Sequence, residues 1–121
     1  MIIQNWQRFY LNPKAFVKFL NRDKACVHCG TTDGTLVPNH RMNRGMGGSK
    51  ERNRPSNIVV LCSAFNGLIE ANASAAALAM KHGIKLQSWQ DPLSTPVWYA
   101  AESAWFLLDD EGNREHWLSE V

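Results

Sequence analysis

The chain has 121 residues, of which 45% are apolar, and its formal net charge is +2. This length suits one domain with one core, and the composition is that of a globular protein, so a multidomain chain and a low-complexity chain are excluded. The N-terminal stretch MIIQNWQRFY resembles no signal peptide, and the longest apolar-looking stretch, residues 68–80, is too short and too polar to span a bilayer, so we expect a cytoplasmic protein.

The charges are separated along the chain. Residues 1–25 and residues 40–54 each hold five basic residues and one acidic residue, whereas residues 102–121 hold one basic and six acidic residues. Such a separation indicates a polyanionic partner at one surface, although charge that is simply solvated at a surface loop would also produce it.

The first quarter of the chain predicts a helix followed by a turn-rich segment. Asn12-Pro13 is typical of a helix start, because asparagine can cap a helix and proline fits its first position. An apolar face then continues to about Asn21. Residues 24–34 contain glycines and an Asp-Gly pair, which favour a knuckle and a tight turn.

The chain has three cysteines, which are too few for a disulfide framework. The Cys-x-x-Cys near the start of residues 24–34 therefore indicates metal or redox use.

Two strands and a loop follow. Residues 35–37 predict a short strand, interrupted by Pro38, that leads to Asn39 and His40. Residues 41–56 form a polar, glycine-containing loop, and the β-branched run over 57–61 is the clearest strand.

The second half predicts one long helix and a hairpin. Apolar residues at helical spacing and an alanine-rich middle predict a helix from about Ser63 to His82, which Gly83 ends. Residues 97–99 and 105–108 then predict a hairpin closed by Asp110-Glu111-Gly112. The outline is a small α+β unit.

Three polar residues fall where this outline can bring them together. His40 ends one strand, Asn57 begins the next strand 17 residues later, and Asn66 lies in the following helix after 9 more residues. Histidine is the side chain best suited to take a proton near neutral pH. Asparagine can offer an oxygen to a hard cation or hold an imidazole in one tautomer.

The loop between the strands is suited to contact phosphate. Arginine offers a forked set of donors for phosphate, and glycine lets backbone amides approach an anion. The candidate DNA-binding residues of this loop are Arg41, Arg44, Lys50, Arg52 and Arg54.

Taken together, these motifs resemble a known family. Cys-x-x-Cys, NHR, RGMGG, RPSNIVVLC and FNGLIE follow one another in the order found in HNH endonucleases, and especially in the small HNH proteins of bacteriophages. The resemblance covers residues 26–72 strongly, and SWQDPLSTPVW and WFLLDDEGN resemble the C-terminal part of those phage proteins. It implies one domain over residues 1–121, with a ββα-metal (His-Me finger) core in 24–83, an N-terminal helix, and a C-terminal extension over 84–121 that carries a β-hairpin.

The resemblance also implies an activity and residue roles. It implies hydrolysis of phosphodiester bonds in double-stranded DNA, in the cytoplasm of a phage-infected bacterium, with Mg²⁺ or Mn²⁺ as the cofactor. His40 would be the general base, Asn57 would orient His40 or hold the loop, and Asn66 and Asn39 would bind the metal. Phage proteins of this kind are associated with DNA packaging or with mobile elements, and both roles stay open, with packaging proteins as candidate partners in the first.

Two positions depart from the family at the metal. Asn66 stands where the third motif residue is usually histidine, which makes the chain an HNN-type variant, and Asn39 stands where Asp, Glu or His is more common. Two neutral amides should hold Mg²⁺ or Mn²⁺ weakly, so we expect the DNA phosphate to supply much of the binding energy. Glu70, one helical turn after Asn66, could add a carboxylate directly or through water.

The structural zinc site of the family is also incomplete. The first Cys-x-x-Cys, Cys26 and Cys29, is intact, but the second reads Cys62-Ser63-Ala64-Phe65. A closed Zn²⁺ site needs four ligands. Either His28 joins the three cysteines, or Phe65 fills the space as part of the core and zinc is absent.

The sequence therefore predicts metal-assisted hydrolysis in which neutral His40 takes a proton from the attacking water, and activity should fall as the pH drops through about 6.5, the ordinary histidine value. Two other functions stay open. The domain could bind DNA without cutting it, since the second knuckle and an acid at position 39 are missing, or it could serve assembly contacts.

Overall fold

The computed structural model describes residues 13–33, 35–42 and 53–118. Within these ranges the chain forms three α-helices, a 3₁₀ helix (Pro55–Asn57) and two antiparallel sheets, so the predicted α+β class is confirmed. None of the helices described has the length and apolar character needed to cross a bilayer. The helices are α1 (Pro13–Asp23), α2 (Ser63–Ala71) and α3 (Ala73–Lys81), and the strands are β1 (Leu36–His40), β2 (Ile58–Cys62), β3 (Val97–Tyr99), β4 (Ala104–Leu108) and β5 (Arg114–His116).

Strands β1 and β2 form a two-stranded antiparallel ladder, and Pro38 lies inside it opposite Val60. The predicted interruption at Pro38 is therefore wrong. Ladder hydrogen bonds run from Ser63 N–H to Thr35 O and from Arg41 N–H to Asn57 O, which places the bonded rungs at the odd-numbered residues of β1. Pro38 falls between two rungs on an edge strand, where its missing N–H removes no ladder bond.

The predicted long helix is two helices separated at Asn72. The backbone of Asn72 is extended, with φ −138° and ψ 122°, and its side chain accepts a hydrogen bond from Ala75 N–H at 2.9 Å. Asparagine competes for backbone groups in this way and so favours a cap over a helix interior. The alanine-rich stretch after it then forms α3, and Gly83, at φ +75°, follows the helix end as predicted.

The C-terminal sheet has one strand more than the sequence predicted. Strands β3 and β4 pair with Val97 opposite Phe106, which confirms the hairpin, but their connection is residues 100–103. The Asp110-Glu111-Gly112 turn instead joins β4 to β5. Asp109 accepts hydrogen bonds from the N–H groups of Glu111 and Asn113, each at 2.9 Å, and so stabilises this second turn.

One hydrophobic cluster joins the two sheets. Val59 and Leu61 of β2 belong to the same buried cluster as Val97 and Phe106 of the C-terminal sheet. The opposite face of β2 is covered by α1, where Phe19 packs with Ile58 and Val60. Strand β2 is thus buried on both faces, which explains its continuous apolar run.

A buried ionic network ties α1 to this core. Arg22 and Asp23, with side chains only 2% and 0% exposed, form an ion pair at 2.7 Å. Asp23 also accepts hydrogen bonds from Val60 N–H at 2.9 Å and from the Tyr99 hydroxyl. Arg22 was predicted only as part of a basic surface, so this internal role is a correction. It connects α1, β2 and β3 at one point.

Candidate active site

The ends of β1 and the first turn of α2 bring Asn39 and Asn66 together. Asn66 Nδ2 donates to Asn39 Oδ1 at 3.3 Å. Asn39 Nδ2 donates to the carbonyl of Ile84 at 3.2 Å, which turns the Asn39 oxygen toward α2. The antiparallel β1–β2 ladder, followed directly by α2, creates this proximity across 27 residues of sequence.

The chemistry of this amide pair suits a hard cation. A half-turn of the Asn66 carboxamide exchanges its oxygen and nitrogen, so that two amide oxygens would face the same space. Mg²⁺ and Mn²⁺ prefer oxygen ligands, including amide carbonyls. Glu70 is exposed on α2 and four residues after Asn66, so its carboxylate lies on the same helix face.

His40 is the last residue of β1 and lies opposite Ile58, at the end of the ladder where the loop connects the two strands. Its Nε2 is 2.7 Å from Asn53 Oδ1. An amide oxygen accepts hydrogen bonds, so in the neutral ring this contact places the proton on Nε2 and the lone pair on Nδ1. Asn53 was not predicted as a site residue, because it lies 13 residues from His40 in sequence and no local pattern relates the two.

Asn57 closes the base of the loop. Its side chain is 1% exposed and bonds both backbone groups of Met42, accepting from the N–H at 2.8 Å and donating to the carbonyl at 3.1 Å. Its own carbonyl accepts from Arg41 N–H at 2.7 Å. Of the two roles predicted for Asn57, these contacts are those of a residue that holds the loop.

Arg41 is not placed to bind DNA, and that prediction is wrong. Its side chain is fully buried, and its guanidinium donates to the carbonyls of Gly83, Ser56, Pro92 and Thr95 at 2.8, 2.8, 3.0 and 2.6 Å. Burial lowers the pKa of Arg41 to about 10, which still leaves the group charged at neutral pH. A cation enclosed by four carbonyls has a structural role and cannot reach a phosphate.

Arg54 is partly exposed and already has an acidic partner. Its guanidinium pairs with Asp110 at 2.8 Å, and Asp110 also accepts from Ser56 N–H at 3.1 Å. Burial alone would raise the pKa of Asp110, but the hydrogen bonds from Arg54 and Ser56 outweigh it and hold that pKa below its usual value. A phosphate at Arg54 would have to compete with this carboxylate. The other predicted DNA contacts, Arg44, Lys50 and Arg52, lie outside the described residues.

Three thiols converge beside β2. The sulfur atoms of Cys26, Cys29 and Cys62 all lie within 4.8 Å of one another, so they could hold a metal ion. The knuckle is fixed to β2 by a hydrogen bond from Val27 N–H to Val60 O at 2.9 Å. Burial raises the pKa of the Cys26 thiol to about 11, so metal binding would have to displace a proton there.

The side of the cluster toward α2 is occupied by aromatic rings. His28 stacks on Phe65 with ring centroids 3.5 Å apart and planes at 5°. Cys62 Sγ accepts from Phe65 N–H at 3.5 Å. The described contacts place Phe65 in the core, as the second of the two predicted arrangements has it, with the His28 ring stacked against it. The side chains that converge as candidate metal ligands are the three thiols.

No protein-family model matches the chain, and no curated protein or solved structure shows significant similarity to it. The assignment of a function therefore rests on the geometry of the site.

Proposed function

We propose that this chain is a metal-dependent DNA endonuclease of the HNH type, built on a ββα-metal core. The observation that carries the proposal is the contact between the Asn39 and Asn66 side chains, made by a strand–loop–strand–helix unit whose first strand ends at His40. A general base and oxygen ligands for a divalent cation are the groups that metal-assisted phosphodiester hydrolysis requires.

The residues divide the work of the reaction. His40, held through Nε2 by Asn53, would take a proton from the water that attacks phosphorus. Asn39 and Asn66 would hold Mg²⁺ or Mn²⁺, with Glu70 supplying a carboxylate directly or through water. When bound, the cation stabilises negative charge on the phosphate and on the leaving 3′ oxygen. Asn57 would keep the loop ends together, so that the basic loop can position the DNA backbone.

The decisive experiment compares plasmid cleavage by the wild type and His40→Ala. The wild type should nick or cut supercoiled DNA with Mg²⁺ or Mn²⁺ and stop when a chelator is added. His40→Ala should lower the cleavage rate by at least about 100-fold, because positioned proton transfer contributes on that order. DNA binding, measured with the chelator present, should be unchanged. His116→Ala, on the exposed end of β5, is the matched control and should cut like the wild type.

The same experiment addresses a DNA-binding module without catalysis. The hydrogen bond between Asn39 and Asn66 favours that alternative, because the two amides satisfy each other without a cation. If the wild type and His40→Ala bind DNA equally and neither cuts it when a divalent cation is added, the endonuclease proposal is wrong. The DNA-binding module is then the function that remains.

We also propose that the three converging thiols supply three of the four ligands of a structural Zn²⁺ site. Purified protein should contain about one equivalent of zinc, bound through thiolates. Cys29→Ser should lower that content, because it removes the exposed ligand, whereas Thr32→Ala in the same knuckle should not. Zinc content should fall as the pH is lowered, since the thiols must lose protons to bind. Metal-free protein that melts at the same temperature with and without added zinc would contradict the proposal.

A further inference from the structure

The outer face of the C-terminal sheet carries a ladder of tryptophans. Trp98 lies opposite Trp105 in the pairing of β3 with β4, and Trp117 N–H donates to Trp105 O at 2.9 Å just beyond β5. The ring centroids of Trp98 and Trp105 are 5.5 Å apart, and those of Trp105 and Trp117 are 6.2 Å apart. Phe106 and Leu108 face the core, so strand alternation places this indole ladder on the opposite side.

The ladder borders a cavity of about 520 Å³, which we name the indole pocket. Trp105, Trp117 and Pro96 supply flat apolar walls, and Lys81 and Gln90 supply polar groups. This volume is in the range of small-ligand sites. The ligand that matches this lining is a flat ring with a polar edge and a nearby negative charge. An indole would stack on the ring, and the Gln90 amide would form a hydrogen bond with its edge. The Lys81 ammonium would pair with a phosphate.

The indole pocket shares a lining residue with a second cavity at the base of the loop that follows β1. Gln90 lines both the indole pocket and a second cavity of about 360 Å³, whose walls include Met42, Arg54 and Asn57. Met42 and Asn57 form the base of the loop that starts after His40. A nucleic acid strand that lies along the second cavity could therefore place a nucleotide in the indole pocket.

We propose that the indole pocket binds one unpaired nucleobase of the DNA substrate. The inference rests on the proposed function and adds a substrate preference to it. An unpaired base is required because both faces of a base inside a duplex are already stacked, whereas a displaced base can stack on indole. A proline-rich peptide would also fit aromatic walls, but it offers no anion to Lys81.

The test measures the affinity of the full chain for two short labelled duplexes with a chelator present, one fully paired and one with a single unpaired thymidine. The wild type should prefer the duplex with the unpaired base. Trp117→Ala should weaken binding of that duplex by about five- to a hundred-fold, the size of a base–aromatic stacking contact. Its affinity for the paired duplex should be unchanged. Trp89→Ala is the matched control, because Trp89 is 79% exposed and lines neither of the two cavities.

Two further variants test the indole pocket beside Trp117→Ala. Trp117→Phe should restore part of the preference, and Lys81→Ala should lower it, so the inference does not depend on one variant folding. Equal affinity of the wild type for both duplexes would overturn the inference. So would a Trp117→Ala protein whose affinity is lowered equally for both duplexes. A third contradicting result is Trp117-dependent fluorescence quenching by an oligoproline peptide and not by either duplex. The chelator blocks cleavage in the binding assay, so base preference and cleavage are measured separately. A preference for the unpaired base, combined with no His40-dependent cleavage of plasmid, would refute only the nuclease proposal. Cleavage without the preference would refute only this inference.

Discussion

Replacement of Arg41 by methionine is expected to destabilise the protein by about 3–5 kcal/mol. Each buried carbonyl that loses a charged donor costs about 1–3 kcal/mol. Removal of the buried charge itself offsets part of that total. Four carbonyls lose their guanidinium donor in this variant. Methionine nearly preserves the volume of the side chain, so the effect reports the polar contacts more than a cavity. The measurement is the free energy of unfolding from urea titration.

Two comparisons sharpen the result. Arg41→Lys keeps the charge but replaces a planar fork with a single ammonium, which cannot reach four separate carbonyls, so most of the loss should remain. Arg54→Met removes an arginine from a partly exposed ion pair and should cost less than about 1 kcal/mol. Equal unfolding midpoints for Arg41→Met and Arg54→Met would show that the buried carbonyl contacts contribute little.

These two arginines also show where sequence-based prediction reaches its limit. Both lie in the same basic stretch, and both were predicted to bind DNA. Arg41 is buried because its carbonyl partners include Gly83, Pro92 and Thr95, which are 42 to 54 residues away in sequence. No local pattern contains that information, whereas the packing of β1 against the α3–β3 connection does.

Features that depend on neighbouring residues were predicted more successfully. The β-branched run over β2 and the pairing of β3 with β4 follow from strand periodicity, and the structure contains both. Asn39 and Asn66, which are in contact, were paired by the resemblance to HNH endonucleases, whereas the order of strand, loop, strand and helix predicted that His40, Asn57 and Asn66 would converge. The break at Asn72 was missed because the helix propensity of the alanines was weighed above the capping tendency of asparagine.

Asp23→Ala is expected to destabilise the protein by about 3–5 kcal/mol, the cost of leaving a buried charge without its partner. In this variant Arg22 would stay enclosed and lose its carboxylate. Burial would lower the pKa of Arg22, but the charge and hydrogen bonds of Asp23 outweigh it and raise that pKa, so the present pair keeps the guanidinium charged. Val60 N–H and the Tyr99 hydroxyl would also lose their acceptor. Urea titration near pH 7 measures the loss.

A double substitution separates the buried charge from the lost packing. Arg22→Met with Asp23→Leu removes both charges and nearly preserves volume, so it should be more stable than Asp23→Ala alone. Tyr99→Phe removes one hydrogen bond to the carboxylate and should cost about 1–3 kcal/mol, less than Asp23→Ala. If the double variant is the least stable of the three, the network contributes through its hydrogen bonds to β2 rather than through compensation of charge.

The network should also affect the active site through the backbone that it holds. Arg22 donates to the carbonyls of Pro55 and Ile58, which flank Asn57 on either side. Asn57 in turn fixes Met42, two residues after His40. Loosening Arg22 therefore frees the segment that closes the loop, so Asp23→Ala should lower the proposed cleavage rate even at temperatures where the variant is folded. A folded Asp23→Ala protein with wild-type cleavage would show that Asn57 holds the loop without support from α1, and that this network stabilises the fold independently of the site.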